Sequence, residues 1–309
     1  MINEKNINLT NRFVVCMLAM ICCILWGSAF PSIKLGYRFF HIPSDAITSQ
    51  ILFAGMRFFL AGILTILFSS LLNKKYLVPK KSSFPKIVRL SLVQTVAQYI
   101  FFYVGLAHTT GVKSSIITAS NVFLALLIPS LILKQEKLTL LKIAGCIIGF
   151  SGVVFINLNG AGIDLTMKWN GEGFIFLSAL SYACSSVMIK SYSKHENPVI
   201  LSGYQFFLGG FIMILCGLLG HGKIPVFSFS GVFILFYLAF VSAVAYTIWA
   251  ILLKYNPVGK VAVYGFMNPV CGVTLSAFFL QESSQAFGIT GIISLLLVCA
   301  GIFMVNKSE

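Results

Sequence analysis

Arg57 is the residue whose setting most demands an explanation. It stands in an apolar run from about residue 48 to 72, and a lone arginine at the centre of a membrane span costs at least ~2.5 kcal/mol unless it faces protein or water. Two roles follow from its chemistry. It can tie its own helix to neighbouring carbonyls, or it can hold a substrate carboxylate through its planar fork of donors. Trp26, Asn121, Tyr182 and Asn268 lie ten to fourteen residues into other apolar runs, so at about 1.5 Å per residue all five reach a common depth near mid-membrane.

Polar and aromatic side chains recur there at helical spacing. Ser114, Thr118 and Asn121 form one stripe and Tyr264 and Asn268 another, readable either as cavity lining or as interhelical hydrogen bonding worth roughly 0.6 to 2 kcal/mol per bond. Tyr99 with Tyr103, and Tyr246 with Trp249, share helix faces. Such walls suit cations or apolar side chains, and they equally suit plain core packing. Glu136 and Glu282 terminate two runs as expected structural anchors, and no aspartate, glutamate or histidine falls in the middle of a run. The usual intramembrane proton relay is therefore missing, which places facilitated diffusion or exchange ahead of proton coupling. Gly145 and Gly149 make a Gly-x-x-x-Gly pattern that close helix packing explains, a homodimer contact being the weaker alternative.

Other features carry no chemistry. All eight cysteines lie in apolar stretches without paired spacing, which reads as small hydrophobes rather than a disulfide frame or metal site. Gly217 to Lys223 mimics a phosphate loop but ends in Ile224 and follows no strand. Neither a metal nor a cofactor is expected.

The elements that must position these residues are helices in lipid. With 58% hydrophobic and 10% charged residues, the chain excludes a soluble enzyme, and its length accommodates about ten spans. Hydropathy and breakers place them at 13–36, 48–72, 86–107, 111–133, 139–157, 171–191, 199–220, 230–253, 257–280 and 286–305. With the N-terminus inside, 16 lysines and arginines fall on the cytoplasmic side and 5 outside, which supports two cytoplasmic termini. The net charge of +14 thus reflects topology, and no nucleic-acid partner is expected.

The chain also repeats itself. Arg57-Phe58-Phe59-Leu60-Ala61-Gly62 matches Gln205-Phe206-Phe207-Leu208-Gly209-Gly210 148 residues later, Tyr99 matches Tyr246 at 147, and Gln135-Glu136 recurs as Gln281-Glu282 at 146. Five spans per copy is an odd number, so the second copy must enter the membrane inverted. That architecture is used by many secondary transporters, with the site at mid-membrane between the copies. The expected fold is thus an all-α polytopic membrane protein with one five-helix repeat in 1–157, an external linker at 158–170 and a second repeat in 171–309.

Leu25 to Phe30 with Lys34, Arg57-Phe58, the run from Gly111 through Asn121 to Glu136, and, in the second copy, Asn268-Pro269, Glu282 and Gly288 to Gly291 resemble the EamA-type ten-helix members of the drug/metabolite transporter superfamily. The resemblance spans essentially the whole chain. It implies export or exchange of small metabolites such as amino acids or related amines across a prokaryotic plasma membrane, by alternating access around a cavity lined by both halves. Two departures stand out: an early proline matching Pro269 is missing from the fourth span, where Pro129 lies deeper, and the second-copy partner of Trp26 is Tyr182. A membrane-integral enzyme on a lipid-linked substrate and a non-transporting interaction subunit remain the alternatives, although no acid/base pair or metal cluster supports the first.

Overall fold

The computed structural model describes residues 9–72, 74–128, 139–156, 168–193, 196–256, 261 and 263–307. Among these residues all the regular structure is helical, with no strand. The helices are α1 (Arg12–Phe39), α2 (Ile47–Leu72), α3 (Lys81–His108), α4 (Gly111–Thr118), α5 (Ser120–Leu127), α6 (Leu140–Phe155), α7 (Phe174–Tyr192), α8 (Pro198–Leu219), α9 (Phe229–Tyr255), α10 (Met267–Phe279), α11 (Ser283–Phe287) and α12 (Ile289–Lys307).

Local chemistry sets the starts. Side chains of Asn11, Thr110, Thr139, Asn197 and Ser228 each accept a backbone N–H in the first turn of α1, α4, α6, α8 and α9, satisfying donors that a helix cannot pair internally. Left-handed residues follow four of the helices: His41, Lys74, His221 and Gln281.

Six helical stretches are long and apolar enough to cross a membrane: Arg12–Phe39, Ile47–Leu71, Lys81–His108, Trp169–Ile189, Pro198–Leu219 and Phe229–Trp249. Leu140–Phe155, Met267–Leu280 and Ile289–Val305 are shorter and also apolar. Large apolar side chains such as Phe13, Leu219, Phe229 and Phe278 point out of the bundle, the surface a lipid solvent requires. Together these features fit a polytopic membrane protein.

Helix is present in each of the ten apolar segments, but three are interrupted. The segment at 111–133 breaks at Ala119 between α4 and α5; that at 257–280 carries a 3-10 turn at Val263–Phe266 before α10; that at 286–305 breaks at Gly288 between α11 and α12. A π turn at Ser91–Ala97 lies within α3, and another, Trp169–Gly173, leads into α7. Glu136, Pro129 and most of the 158–170 linker lie outside the described residues.

Two glycine-lined crossings hold the bundle. A Cβ at Gly62 would collide with the Phe207 backbone, one at Gly210 with the Phe59 backbone, and one at Gly217 would come within 2.7 Å of the Leu52 side chain, so α2 and α8 approach almost backbone to backbone. Helices α6 and α12 do likewise: Gly145 faces the Gly301 carbonyl, Gly301 faces Gly149, and Gly152 faces the Ser294 carbonyl. Where lipid removes the hydrophobic drive between helices, such approach provides the packing.

Candidate functional site

Arg57 is only 2% exposed. Its Nε donates to the Leu238 carbonyl at 3.1 Å, one Nη to the Tyr103 hydroxyl at 2.9 Å and the other to the Ser242 hydroxyl at 2.9 Å. The guanidinium also lies 4.8 Å from the Phe58 ring centroid and 6.0 Å from those of Tyr99 and Tyr103. It thereby joins α2 to α3 and α9.

Gln205, its match in the sequence repeat, is fully buried. Its Nε2 donates to Gln94 Oε1 at 2.6 Å, and its Oε1 accepts from Thr95 at 3.1 Å. Its carbonyl accepts from Ser91 at 3.0 Å. The π turn Ser91–Ala97 presents these partners, since the wider turn re-aims side chains within an otherwise regular helix.

Around Arg57 lies an aromatic cluster. Phe58 stacks on Phe206 at 5.5 Å and lies 4.0 Å from Tyr99. The Tyr99 and Tyr246 hydroxyls share a hydrogen bond of 2.8 Å. Trp26 meets Tyr246 at 5.5 Å and Trp249 at 5.1 Å, both edge to face. Tyr103 is fully buried beside Tyr37, whose hydroxyl donates to the Tyr103 carbonyl. Tyr182 is partly buried on α7, which packs against α3.

At the same junction, α1, α4 and α10 come together. A Cβ on Gly27 would stand 2.6 Å from that of Cys271, and Ser115 donates to the Pro269 carbonyl at 3.2 Å. Trp26 Nε1, Thr118 Oγ1 and Asn268 Oδ1 are buried polar atoms without a hydrogen-bond partner, as are Ser114 Oγ on α4 and Ser276 Oγ on α10, a costly condition in a folded chain. Asn121 is half-buried on α5 beyond the break at Ala119. Beside Asn268, a Cβ on Gly265 would meet nothing within 4 Å, which marks open space.

The structure therefore brings Arg57, Tyr99, Tyr103, Tyr246, Trp249 and Trp26 into one cluster. Asn268 stands at the adjoining helix junction, and Tyr182 on the neighbouring α7. Glu282 is elsewhere, accepting the Gly111 and Val112 N–H groups at 3.1 and 2.9 Å, so that it caps α4 across the fold.

Sequence reasoning passed over Glu172. It is 5% exposed, accepts from Thr109 at 2.7 Å and from the Lys168 N–H at 3.1 Å, and pairs with Lys113 at 3.5 Å. These groups border a polar cavity of about 440 Å³ that also involves His108 and Gln285. A single acidic residue between two glycines, just before an apolar run, was the available signal. Gln94 also went unflagged, because its role depends on a partner 111 residues away.

The geometry defines a helical membrane protein with a buried polar and aromatic centre and no metal-ligating cluster among the described residues. Pattern matching gives the class its family. The EamA-like transporter family matches residues 13–158 and again 169–307, so the chain belongs to it. A protein of Bacillus subtilis (strain 168) named "Uncharacterized transporter YvbV" is 24% identical over 297 residues, covering 95% of this chain and 92% of its own. A "Probable amino-acid metabolite efflux pump" of Escherichia coli (strain K12) is 23% identical over 304 residues, covering 93% of each chain. A solved crystal structure shares the fold with a TM-score of 0.69 at 15% identity, over 96% of this chain and 98% of that one. Family and relatives support a transporter role, and transporters are not enzymes.

Proposed function

We propose that the chain is a secondary transporter that moves small metabolites, such as amino acids or related amines, across the plasma membrane by alternating access. In this reading ten spans form two inverted five-helix copies with both termini in the cytoplasm, and the central aromatic cluster is the cargo site.

One observation carries the reading. Arg57 binds the Leu238 carbonyl and Ser242, while Gln205 is bound by Ser91 and Thr95. Positions 238 and 242 lie 147 residues after 91 and 95, close to the spacing that separates Arg57 from Gln205. The tie from α2 to α9 thus has a counterpart from α8 to α3. The same spacing relates the left-handed residues Lys74 and His221, and the break at Ala119 to the turn ending at Phe266. Equivalent residues also meet one another, Phe58 with Phe206, Phe59 with Phe207 and Tyr99 with Tyr246, as they must where an axis relating two copies passes between them. Paired copies around a central site are the means of alternating access.

Purified protein in liposomes preloaded with unlabelled amino acid tests the proposal. Counterflow of the labelled amino acid without ATP is the expected result, and its absence across a panel of amino acids, choline-like amines and nucleotide sugars would reject transport.

A further inference from the structure

The connection between α2 and α3 carries positive charge and apolar surface in one place. From Lys74 to Arg89 the chain holds six lysines and arginines, and it has no acidic residue between Asp45 and Glu136. Among the described residues one carboxylate bonds to this segment, that of Glu196, and it is committed to Ser83 and Lys86. Lys74, Lys75, Lys80 and Lys81 are exposed and have no ion-pair partner among the described residues.

Ties to the bundle decide which side chains of the loop face out. The Lys75 N–H donates to the Ser70 carbonyl at 3.1 Å and the Leu77 N–H to the Ser70 hydroxyl at 3.2 Å, while the Tyr204 hydroxyl on α8 donates to the Leu77 carbonyl at 3.0 Å. At the far end, Ser83 donates to Glu196 at 2.6 Å. Between these ties exposure alternates along the chain. Leu77 and Pro79 are half-buried, whereas Tyr76, Val78 and Lys80 face out, as in an extended segment whose successive side chains take opposite sides. Tyr76 is 86% exposed and Val78 69%. Exposed apolar side chains also flank the loop, Leu71 at the end of α2 and Phe84 in the first turns of α3.

The proposed cytoplasmic placement of this loop accounts for its lysines, but orientation in the membrane is indifferent to where a tyrosine and a valine point. A phosphate ion in solution would use the four charges and leave Tyr76 and Val78 in water. An acidic leaflet uses both features: tyrosine is favoured at headgroup depth, and each lysine near an anionic surface strengthens attachment roughly fivefold.

We infer that the loop at 74–81 is a binding site for acidic phospholipid. The lipid phosphates seat against Lys74, Lys75, Lys80 and Lys81, and Tyr76 and Val78 enter the headgroup layer between the two lysine pairs. The inference needs the chain to span a membrane, and it is independent of the transport cycle.

The test is quenching read at the loop itself. Full-length Tyr76→Trp protein is reconstituted in mixed phosphatidylcholine and phosphatidylglycerol vesicles, with brominated chains on one lipid or the other, and the quenching of the parent's own three tryptophans is subtracted. Phosphatidylglycerol is expected to be preferred about threefold or more at Tyr76→Trp, and Lys74→Gln, Lys75→Gln, Lys80→Gln and Lys81→Gln together should bring the preference below about 1.5-fold. Equal quenching by the two lipids overturns the inference and leaves the patch to solvent or to a soluble partner. A preference that survives in the fourfold variant, once its thermal midpoint shows a folded protein, overturns it as well. If that variant does not fold, high salt on the Tyr76→Trp protein takes its place: screening should erase the preference, and a preference indifferent to salt overturns the inference. Quenching is read without flux, so absence of counterflow would reject transport and leave the lipid site standing, and equal quenching beside normal counterflow would do the reverse.

Discussion

At the scale of single residues, Arg57 and Gln205 are alternative answers to one structural need. Each sits on a central helix and reaches a neighbouring helix in the other half of the chain, one with a charged fork and the other with an amide. Arg57→Gln should lower the thermal midpoint, because it leaves Leu238, Tyr103 and Ser242 with broken bonds of about 1 to 3 kcal/mol in consequence. Arg57→Lys should recover little of it, since a point charge does not reproduce the planar fork. Gln205→Ala also leaves buried partners in Gln94 and Thr95, so a loss of similar order is expected. Thermal unfolding of the three purified variants checks this, and a Gln205→Ala protein as stable as the parent would show that the amide tie is dispensable. Arg57 was legible in the sequence because a charge in an apolar run is conspicuous. The Gln94 partner was not, because a neutral amide near a helix middle announces nothing until the facing helix is known.

At the scale of elements, hydropathy located the helices because lipid forces every backbone group to pair within its own segment. The interruptions at Ala119, Val263–Phe266 and Gly288 escaped it, because a turn of altered pitch changes hydrogen-bond register and leaves the apolar pattern intact. Glycines carry the converse lesson, since only the facing helix shows which are indispensable. Gly62→Ala and Gly210→Ala press a methyl group into backbone at the α2 and α8 crossing and should each cost about 1 to 3 kcal/mol. Gly265→Ala meets open space and should leave the thermal midpoint near the parent value. Another junction is sensitive to pH. Glu196 accepts from the Ser83 hydroxyl at 2.6 Å and from Lys86 at 2.9 Å, and these contacts hold its carboxyl below the ordinary carboxylate range. Its contribution should be complete above about pH 4.3, the ordinary value for glutamate, and lost as pH falls through the depressed one. Unfolding measured from pH 7 to 3 should show less acid destabilisation in Glu196→Gln than in the parent.

At the scale of the whole molecule, the alternating access proposed above requires some contacts between the two halves to move and others to hold. A contact between a residue and its own equivalent maps onto itself when the copies exchange conformations, so it can persist in both states. Phe59 with Phe207, ring centroids 4.8 Å apart, is such a contact. A contact between inequivalent residues opens on that exchange where its counterpart is open, whereas ties formed in both copies, such as those of Arg57 and Gln205, can persist. Gly111 on α4 packs against Ser276 on α10, with a Cβ on Gly111 only 3.0 Å from that of Ser276. In a background without native cysteines, oxidation of Gly111→Cys with Ser276→Cys should form a disulfide after a small shift, given the usual Cβ separation of about 3.5 to 4.5 Å. Flux should then stop and return on reduction. A short bis-methanethiosulfonate reagent, which forms a disulfide with each thiol and releases sulfinate, joining Phe59→Cys to Phe207→Cys should leave flux close to that of the uncrosslinked pair. If both links abolish transport, the halves do not turn about the Phe59 and Phe207 contact; if neither does, the junction of α4 with α10 is not a gate.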